Sequence, residues 1–298
     1  ALLPQLEAPR RWDWDRLRSG IGLALWGATK KVLVADTISM YVDRLYNMDD
    51  PSFAIIFAAT LGFSVQILAD FSGYTDIARG TARMFGFELM ENFRSPYLAK
   101  SPSEFWRRWH ISFSSWIHEY VYIGFGGSRH GPLRRAIATY GALLLSGLWH
   151  GAAWSFVVWG AYHATILTFW RPLAKRVPER LKRLPGANAI AVGWMFCFTL
   201  FGWLLFREQD FSRTIMYLKL PMLGGTVAHH ALAGACGLVA LAGGGVLVLG
   251  MWGERWLIPR LRPHKTWLIA ETTMWGLAVW AITLFARDTS SEFIYFQF

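Results

Sequence analysis

Long apolar runs separated by short, basic loops set the pattern of hydrophobic and polar positions along the chain. At about 1.5 Å of rise per residue, a helix needs about 20 residues to cross a hydrocarbon core of about 30 Å. One apolar stretch, residues 21–35, is interrupted by Lys30 and Lys31, and we interpret it as a short span or an interfacial helix. Four other runs approach or reach the required length and are predicted to span: residues 53–68, 190–206, 231–252 and 267–285.

The central apolar run, residues 136–170, contains no Asp, Glu, Lys or Arg and holds His150 near its middle. The run is too long for one span and too short for two, and Gly147 and Gly151 bracket the histidine where the chain is predicted to bend. Non-helical backbone at membrane depth is tolerated only inside protein or beside a water-filled cavity. Because an ionisable residue there indicates a functional site, we place His150 near the bottom of a polar cavity. The alternative is a structural histidine bonded to a neighbouring helix.

A polar segment from Asp70 to Asp76, with the sequence DFSGYTD, follows the first predicted span at once. Two interpretations stay open. In one, Gly73 ends the helix and Thr75 caps a new one. In the other, the two carboxylates and Tyr74 line the cavity.

The segment that starts at Ser101 carries two helix-start signals. Ser101 is a candidate N-cap with Pro102 at the first helical position, and Glu104 completes a capping box. Glu104 is also spaced to pair with Arg108 one turn later. The helix is predicted to reach Tyr122 and to lie at the membrane interface or at a cavity mouth, since it is charged on one side. Its other side carries an aromatic stripe: Phe105, Trp109, Phe113, Trp116 and Tyr120.

Composition narrows the class of protein. The chain of 298 residues is 54% hydrophobic and 16% aromatic, which excludes an ordinary soluble globule, and its 17 tryptophans suit two membrane–water interfaces. The net charge of +10 lies in short loops between apolar runs, a positive-inside pattern that argues against nucleic-acid binding. His and Cys residues show no metal-ligand spacing, so no metal is expected. We predict an all-α, polytopic helical membrane protein with re-entrant or short helices around a central funnel, in which residues 1–298 form one membrane-embedded domain.

Two sequence motifs resemble those of the membrane-bound O-acyltransferase family: WRRWH at residues 106–110 and LWHG at residues 148–151. Residues 70–76, residues 91–97 (ENFRSPY) and the ending at residues 293–298 (FIYFQF) resemble its bacterial branch. That branch includes the membrane subunit for alginate O-acetylation and relatives that act on cellulose, peptidoglycan and teichoic acid. The resemblance covers most of residues 15–170 and the extreme C-terminus. Family members carry further N-terminal spans, which we expect to be missing from this chain.

The resemblance implies a helical funnel with a thinned centre, in which His150 is essential for acyl transfer and His110 is the second family histidine. It favours the catalytic interpretation of His150 over the structural one. It also implies a multi-pass protein of the bacterial inner membrane, surrounded by lipid. The donor would be acetyl-coenzyme A or an acyl-carrier thioester, with no permanently bound cofactor. The acyl group would pass to a sugar hydroxyl or to a periplasmic acetyltransferase or another polysaccharide-secretion partner.

We therefore assign expected roles. His150 is the general base, since a neutral imidazole can accept a hydroxyl proton near pH 7. His110 orients the thioester or stabilises the oxyanion. Arg107 and Arg108 either bind donor phosphates or reach toward lipid headgroups. The remaining candidate substrate-binding residues are Trp106, Trp109, Trp149, Asp70, Tyr74, Asp76 and Asn92, of which Asp70, Asp76 and Asn92 belong to the acceptor side or orient a histidine.

Other functions remain open at this stage. A transporter or flippase also has broken helices and an intramembrane histidine. A scaffold for a secretion complex would tolerate loss of His150. Within the acyltransferases, the alternative is D-alanyl transfer to teichoic acid from a carrier protein.

Overall fold

The computed structural model describes residues 3–7, 9, 11–129, 131–223, 229–264, 266–286 and 293. Within these residues the backbone forms helices and loops and no β-strand, which confirms the all-α prediction. Of the C-terminal family-like ending, residues 294–298 lie outside the described part of the chain. The chain divides into two compact units. Unit 1 contains the described residues 3–91 and 229–293, and unit 2 contains the described residues 92–223.

Helices account for most of both units. Among the described residues they are interrupted or joined by π-helical turns at Lys30–Ala35, Ile117–Tyr122 and Gly253–Leu257 and by a 3₁₀ turn at Pro96–Leu98. In chain order the α-helices are α1 (Leu3–Glu7), α2 (Trp14–Thr29), α3 (Asp36–Tyr46), α4 (Phe53–Met84), α5 (Pro102–Trp106), α6 (Ile111–Trp116), α7 (Gly131–His150), α8 (Trp154–Arg176), α9 (Glu179–Lys182), α10 (Ala187–Arg207), α11 (Phe211–Leu223), α12 (His230–Trp252), α13 (Ile258–Leu261) and α14 (Trp267–Phe285).

The four predicted spans are confirmed as helices that are long and apolar enough to cross a membrane. Among the described residues these are Phe53–Met84, Ala187–Arg207, His230–Leu261 and Trp267–Phe285. The first is longer than predicted because α4 continues through Asp70 and Asp76 to Met84. A helix end at Gly73 was therefore wrong.

Close packing of α2 against α4 explains why a glycine, Gly73, lies in the middle of α4. A Cβ on Gly73 would lie 2.8 Å from the Gly27 carbonyl oxygen, and a Cβ on Gly80 would lie 2.6 Å from that of Gly20. The glycines on each helix are two turns apart, so the two backbones meet along one face. Gly73 serves this contact between helices instead of a turn, a distinction that the local sequence does not carry.

The sequence suggested that Lys30 and Lys31 interrupt their helix, but the helical backbone continues through both residues. They lie in the π-helical turn that joins α2 to α3, and their side chains are buried. Lys30 forms an ion pair with Asp76, and Lys31 lies 2.8 Å from the Asp70 carboxylate. Carboxylates from α4 thus compensate two cations that would otherwise be too costly to bury.

In unit 2, α7 and α8 form a tight hairpin with its break at His150. Helix α7 ends at this residue and α8 begins at Trp154, so the predicted break is confirmed. A Cβ on Gly147 would lie only 2.2 Å from the Phe156 carbonyl oxygen, and a Cβ on Gly160 would lie 2.3 Å from that of Leu143. Glycine at both contacts allows the helix backbones to touch.

The predicted start of α5 is confirmed, but the prediction of one continuous helix from there to Tyr122 was wrong. Ser101 Oγ accepts a hydrogen bond of 3.2 Å from the Glu104 N–H, as an N-cap should. The helix then stops after Trp106 and resumes at Ile111. Between them His110 adopts the left-handed conformation, with φ of 43°.

Candidate functional site

His150 lies at the end of α7 within an aromatic cluster contributed by four segments of unit 2. The aromatic cluster consists of Phe113, Trp149, Phe156, Trp159 and Phe206. Its closest members by ring centroid are Trp149 and Phe206, each 5.0 Å from the imidazole. Trp159 stands edge-on to His150, with centroids 5.4 Å apart and planes at 89°. The imidazole is thus partly buried among apolar rings at the point where two helices meet.

His110 approaches the same cluster from the loop between α5 and α6. Its imidazole stacks on Phe113 with centroids 5.1 Å apart and lies 6.5 Å from Trp149. Phe113 and Trp149 also contact His150, at 6.2 and 5.0 Å. The structure therefore brings together the two histidines and the tryptophan that the sequence motifs singled out. Burial lowers the pKa of His110 to about 4, so its imidazole is neutral at pH 7.

Asn92 fixes the backbone on the C-terminal side of His110. Its carbonyl oxygen accepts the Ile111 N–H at 3.0 Å, and its side-chain Oδ1 accepts the Ser112 N–H at 3.0 Å. On the other side, the Arg94 N–H donates to the Arg108 carbonyl at 3.0 Å. A left-handed backbone at a residue with a Cβ is strained by about 1–3 kcal/mol. These hydrogen bonds hold His110 in that conformation and thereby aim its ring.

The other members of the WRRWH motif separate into buried and exposed positions. Trp109 is buried and packs on Trp203 at 4.8 Å, so it belongs to the core of unit 2. Trp106 is partly buried, with its ring 5.3 Å from His163. Arg107 is exposed. Arg108 donates to the Glu104 carboxylate at 2.6 Å, which confirms the predicted i,i+4 pair.

Glu104 ties this motif to the start of α5. Burial alone would raise the pKa of its carboxyl, but the Lys100 N–H that it accepts and the neighbouring Arg108 guanidinium outweigh burial. The pKa of Glu104 is consequently lowered. The carboxylate is therefore ionised at neutral pH and able to hold Arg108 in place.

The three remaining candidates, Asp70, Tyr74 and Asp76, belong to unit 1 and lie in the middle of α4. Both carboxylates are engaged in ion pairs there: Asp70 with Lys31 at 2.8 Å, and Asp76 with Lys30 and with Arg79. Tyr74 is exposed and packs edge-on against Phe293. A role on the acceptor side stays a prediction for these residues.

Sequence reasoning did not single out Trp159 and Phe206 as neighbours of His150. They come from α8 and α10, so only the tertiary packing brings them to the histidine. Phe113 was predicted only as part of an aromatic stripe. Among the described residues, no group of His, Cys, Asp or Glu is arranged to hold a metal ion.

The sequence matches known proteins over most of its length. The sequence model described as "MBOAT, membrane-bound O-acyltransferase family" matches residues 4–207, a range that contains both histidines of the site. The chain is similar to the probable alginate O-acetylase AlgI of Azotobacter vinelandii, with 38% identity over 199 residues, covering 66% of this chain and 38% of the relative. It is 32% identical over 226 residues to the peptidoglycan O-acetyltransferase of Helicobacter pylori, covering 73% of this chain and 42% of the relative.

A third relative is the teichoic acid D-alanyltransferase of Bacillus subtilis, 30% identical over 210 residues, covering 66% of this chain and 52% of the relative. The chain thus spans between about two fifths and one half of the length of these relatives. The family match itself extends over more than half of the chain. With its apolar helices and its paired histidines, the chain is a multi-pass membrane protein that belongs to the membrane-bound O-acyltransferase family.

Proposed function

We propose that the full-length protein is an O-acyltransferase that moves an acetyl group from a cytoplasmic thioester toward hydroxyls of an extracellular polysaccharide such as alginate. The transfer is direct or passes through a periplasmic acetyltransferase or another polysaccharide-secretion partner, at the bacterial inner membrane. The observation that carries the proposal is the shared environment of His110 and His150, which both contact Phe113 and Trp149. The similarity to alginate and peptidoglycan O-acetylating relatives supports an acetyl group.

In the proposed reaction His150 is the general base. The acceptor oxygen attacks the thioester carbonyl carbon while the imidazole of His150 takes the hydroxyl proton. The carbon–sulfur bond then breaks, and the imidazolium returns the proton to the departing thiolate. The products are an ester and a free thiol. The thioester is itself the co-substrate, so this chemistry needs no permanently bound cofactor.

The surroundings of His150 support this assignment. A base must lie within hydrogen-bond reach of the reacting proton, and a fixed ring achieves this more reliably than a mobile one. His150 is fixed by the end of α7 and by aromatic neighbours on several sides. We assign His110, which is neutral at pH 7, the role of positioning the thioester or stabilising negative charge on its oxygen.

We assign different roles to the two arginines of the WRRWH motif. The guanidinium of Arg108 is committed to Glu104 and to the carbonyl oxygens of Arg94 and Ser95. We assign it to holding the loop that presents His110. Arg107 is exposed and is our candidate for the phosphates of coenzyme A or of a carrier's phosphopantetheine.

The test of this function is product formation by the full-length protein in lipid vesicles. Acetyl-coenzyme A labelled in the acetyl group is supplied on one side together with a polysaccharide hydroxyl acceptor on the other, and free thiol and labelled ester are measured. An acyltransferase releases thiol and forms labelled ester together, whereas a transporter or scaffold forms neither product. Replacing the donor with a D-alanyl carrier thioester distinguishes the D-alanyl alternative. Turnover of that donor alone would contradict acetyl transfer.

A further inference from the structure

Two buried indole N–H groups lie beside the histidines of unit 2 and have no acceptor among the described residues. Trp159 is only 2% exposed, and its ring contacts both His150 at 5.4 Å and His163 at 4.9 Å. The ring of Trp106 lies 5.9 Å from Trp159 and 5.3 Å from His163. Within the described chain, neither Trp106 Nε1 nor Trp159 Nε1 has a hydrogen-bond partner, although both atoms are buried.

An unpaired indole N–H is informative because the group can only donate. Buried tryptophans normally place this N–H against an acceptor, since leaving it unpaired is unfavourable. Here two such donors occur on neighbouring rings, one of them in direct contact with the proposed base. Both donors are therefore left able to bond an oxygen atom that arrives with a ligand.

Two further buried polar atoms flank the same hairpin break. Ser146 Oγ lies one turn before His150, and Ser155 Oγ lies just inside α8. Both are buried and have no hydrogen-bond partner among the described residues. A hydroxyl both donates and accepts, so these serines do not define the ligand. They show that unmet hydrogen-bonding capacity continues along the hairpin around His150.

We propose that Trp159 Nε1 donates a hydrogen bond to the carbonyl oxygen of the acyl thioester, with Trp106 Nε1 as the second donor. This inference rests on the proposed function. When the acceptor hydroxyl attacks, the carbonyl oxygen gains negative charge, and it loses that charge when the carbon–sulfur bond breaks. Neutral donors fixed in an apolar surrounding stabilise such a transient charge without needing to reorganise. Trp159 would then be a catalytic residue, and its ring contact with His150 would set the distance between oxyanion donor and base.

The direct test is Trp159→Phe in the full-length protein, which keeps an aromatic ring and removes the N–H. We expect kcat to fall on the order of 10²–10³-fold, as for other oxyanion donors, with the donor KM changed less than about threefold. Trp106→Phe should lower kcat less. Trp26→Phe is the matched control, because Trp26 Nε1 is also buried without a described partner but lies in unit 1 against Gly250. A Trp159→Phe enzyme within about threefold of the wild-type kcat would overturn the proposal.

A binding measurement distinguishes loss of the hydrogen bond from misfolding of the variant. The wild-type protein and Trp159→Phe are both titrated with two unreactive analogues of acetyl-coenzyme A, a ketone that retains the carbonyl and a thioether that lacks it. Binding of the thioether shows that the variant is folded. Loss of the wild-type preference for the ketone in Trp159→Phe supports the proposal, and an unchanged preference contradicts it. The outcomes distinguish failure of the proposed acyltransferase function from failure of the proposed role of Trp159. If the wild type forms no ester, the proposed function fails, whereas an active wild type with unaffected Trp159→Phe refutes only the role of Trp159.

Discussion

Replacing Gly147 with alanine tests whether contact between the backbones of α7 and α8 positions His150. The new Cβ would lie 2.2 Å from the Phe156 carbonyl oxygen. Ordinary contact requires about 3.5 Å, so the two backbones must separate by roughly 1 Å. Overpacking of this kind typically costs about 1–3 kcal/mol of stability. His150 is less than one turn away, and a misplacement of about 1 Å can lower the rate by about 10²-fold.

The assay measures both quantities in the full-length protein. Acetyl transfer gives kcat, and loss of activity on heating in lipid gives stability. Gly193→Ala is the matched control, because Gly193 is also in a helix of unit 2 but a Cβ there meets nothing within 4 Å. We expect the control to be unchanged or slightly more stable, since alanine favours helix. Wild-type activity and stability in Gly147→Ala would refute the claim that this contact positions His150.

Three further variants test other parts of the structure. Asn92→Leu removes the acceptor of the Ser112 N–H and should lower kcat by about tenfold or more with little change in donor KM, whereas Asn92→Asp keeps the acceptor and should restore most of kcat. Glu104→Gln should lower stability at pH 7 by about 0.2–1 kcal/mol in thermal inactivation. The pKa of Glu104 is lower in the folded protein than in the unfolded one, where it is about 4.3. The carboxylate therefore stabilises the fold above the unfolded pKa, and this stabilisation is lost as the pH falls through the folded pKa. The stabilities of wild type and Glu104→Gln should therefore become equal in acid. Lys30→Met should destabilise unit 1 because it removes one of the two cations paired with the buried Asp76, and an unchanged inactivation temperature would contradict this. Since Arg79 stays paired with Asp76, the loss should be smaller than the cost of about 3–5 kcal/mol for a buried charge left unpaired.

Features encoded by a few neighbouring residues were predictable from sequence. The N-cap at Ser101 depends on a contact between residues three positions apart, and it was predicted correctly. The other half of the predicted capping box differs, because the Glu104 carboxylate accepts the N–H of Lys100, one residue before the cap. The break at His150 was predictable because an uncharged run of intermediate length with two glycines has few ways to fit a membrane. The paired histidines came from the resemblance, since nothing in the local pattern brings residues 110 and 150 together.

Features that depend on a distant partner were missed. The left-handed backbone of His110 is held by the Ile111 and Ser112 N–H groups, which donate to Asn92, and by the Arg94 N–H, which donates to Arg108. These contacts are not encoded next to His110, so the local pattern predicted an uninterrupted helix there. Gly73 resembled a helix end because local sequence cannot distinguish a turn from the close approach of α2. Lys30 looked like an interruption because its compensating carboxylate lies 46 residues later in the chain.

The central claim is that His150 is the base in acyl transfer, and its most direct test compares His150→Ala with His118→Ala. The full-length proteins in lipid receive labelled acetyl-coenzyme A and a hydroxyl acceptor, and ester formation is followed. His118 is exposed, in the π-helical turn after α6, and serves as the histidine control. General-base catalysis contributes about 10²–10⁴-fold, so we predict that His150→Ala loses at least about 10²-fold in kcat while His118→Ala retains wild-type activity. Ester formation by folded His150→Ala at the wild-type rate would contradict the account and make His150 a structural histidine.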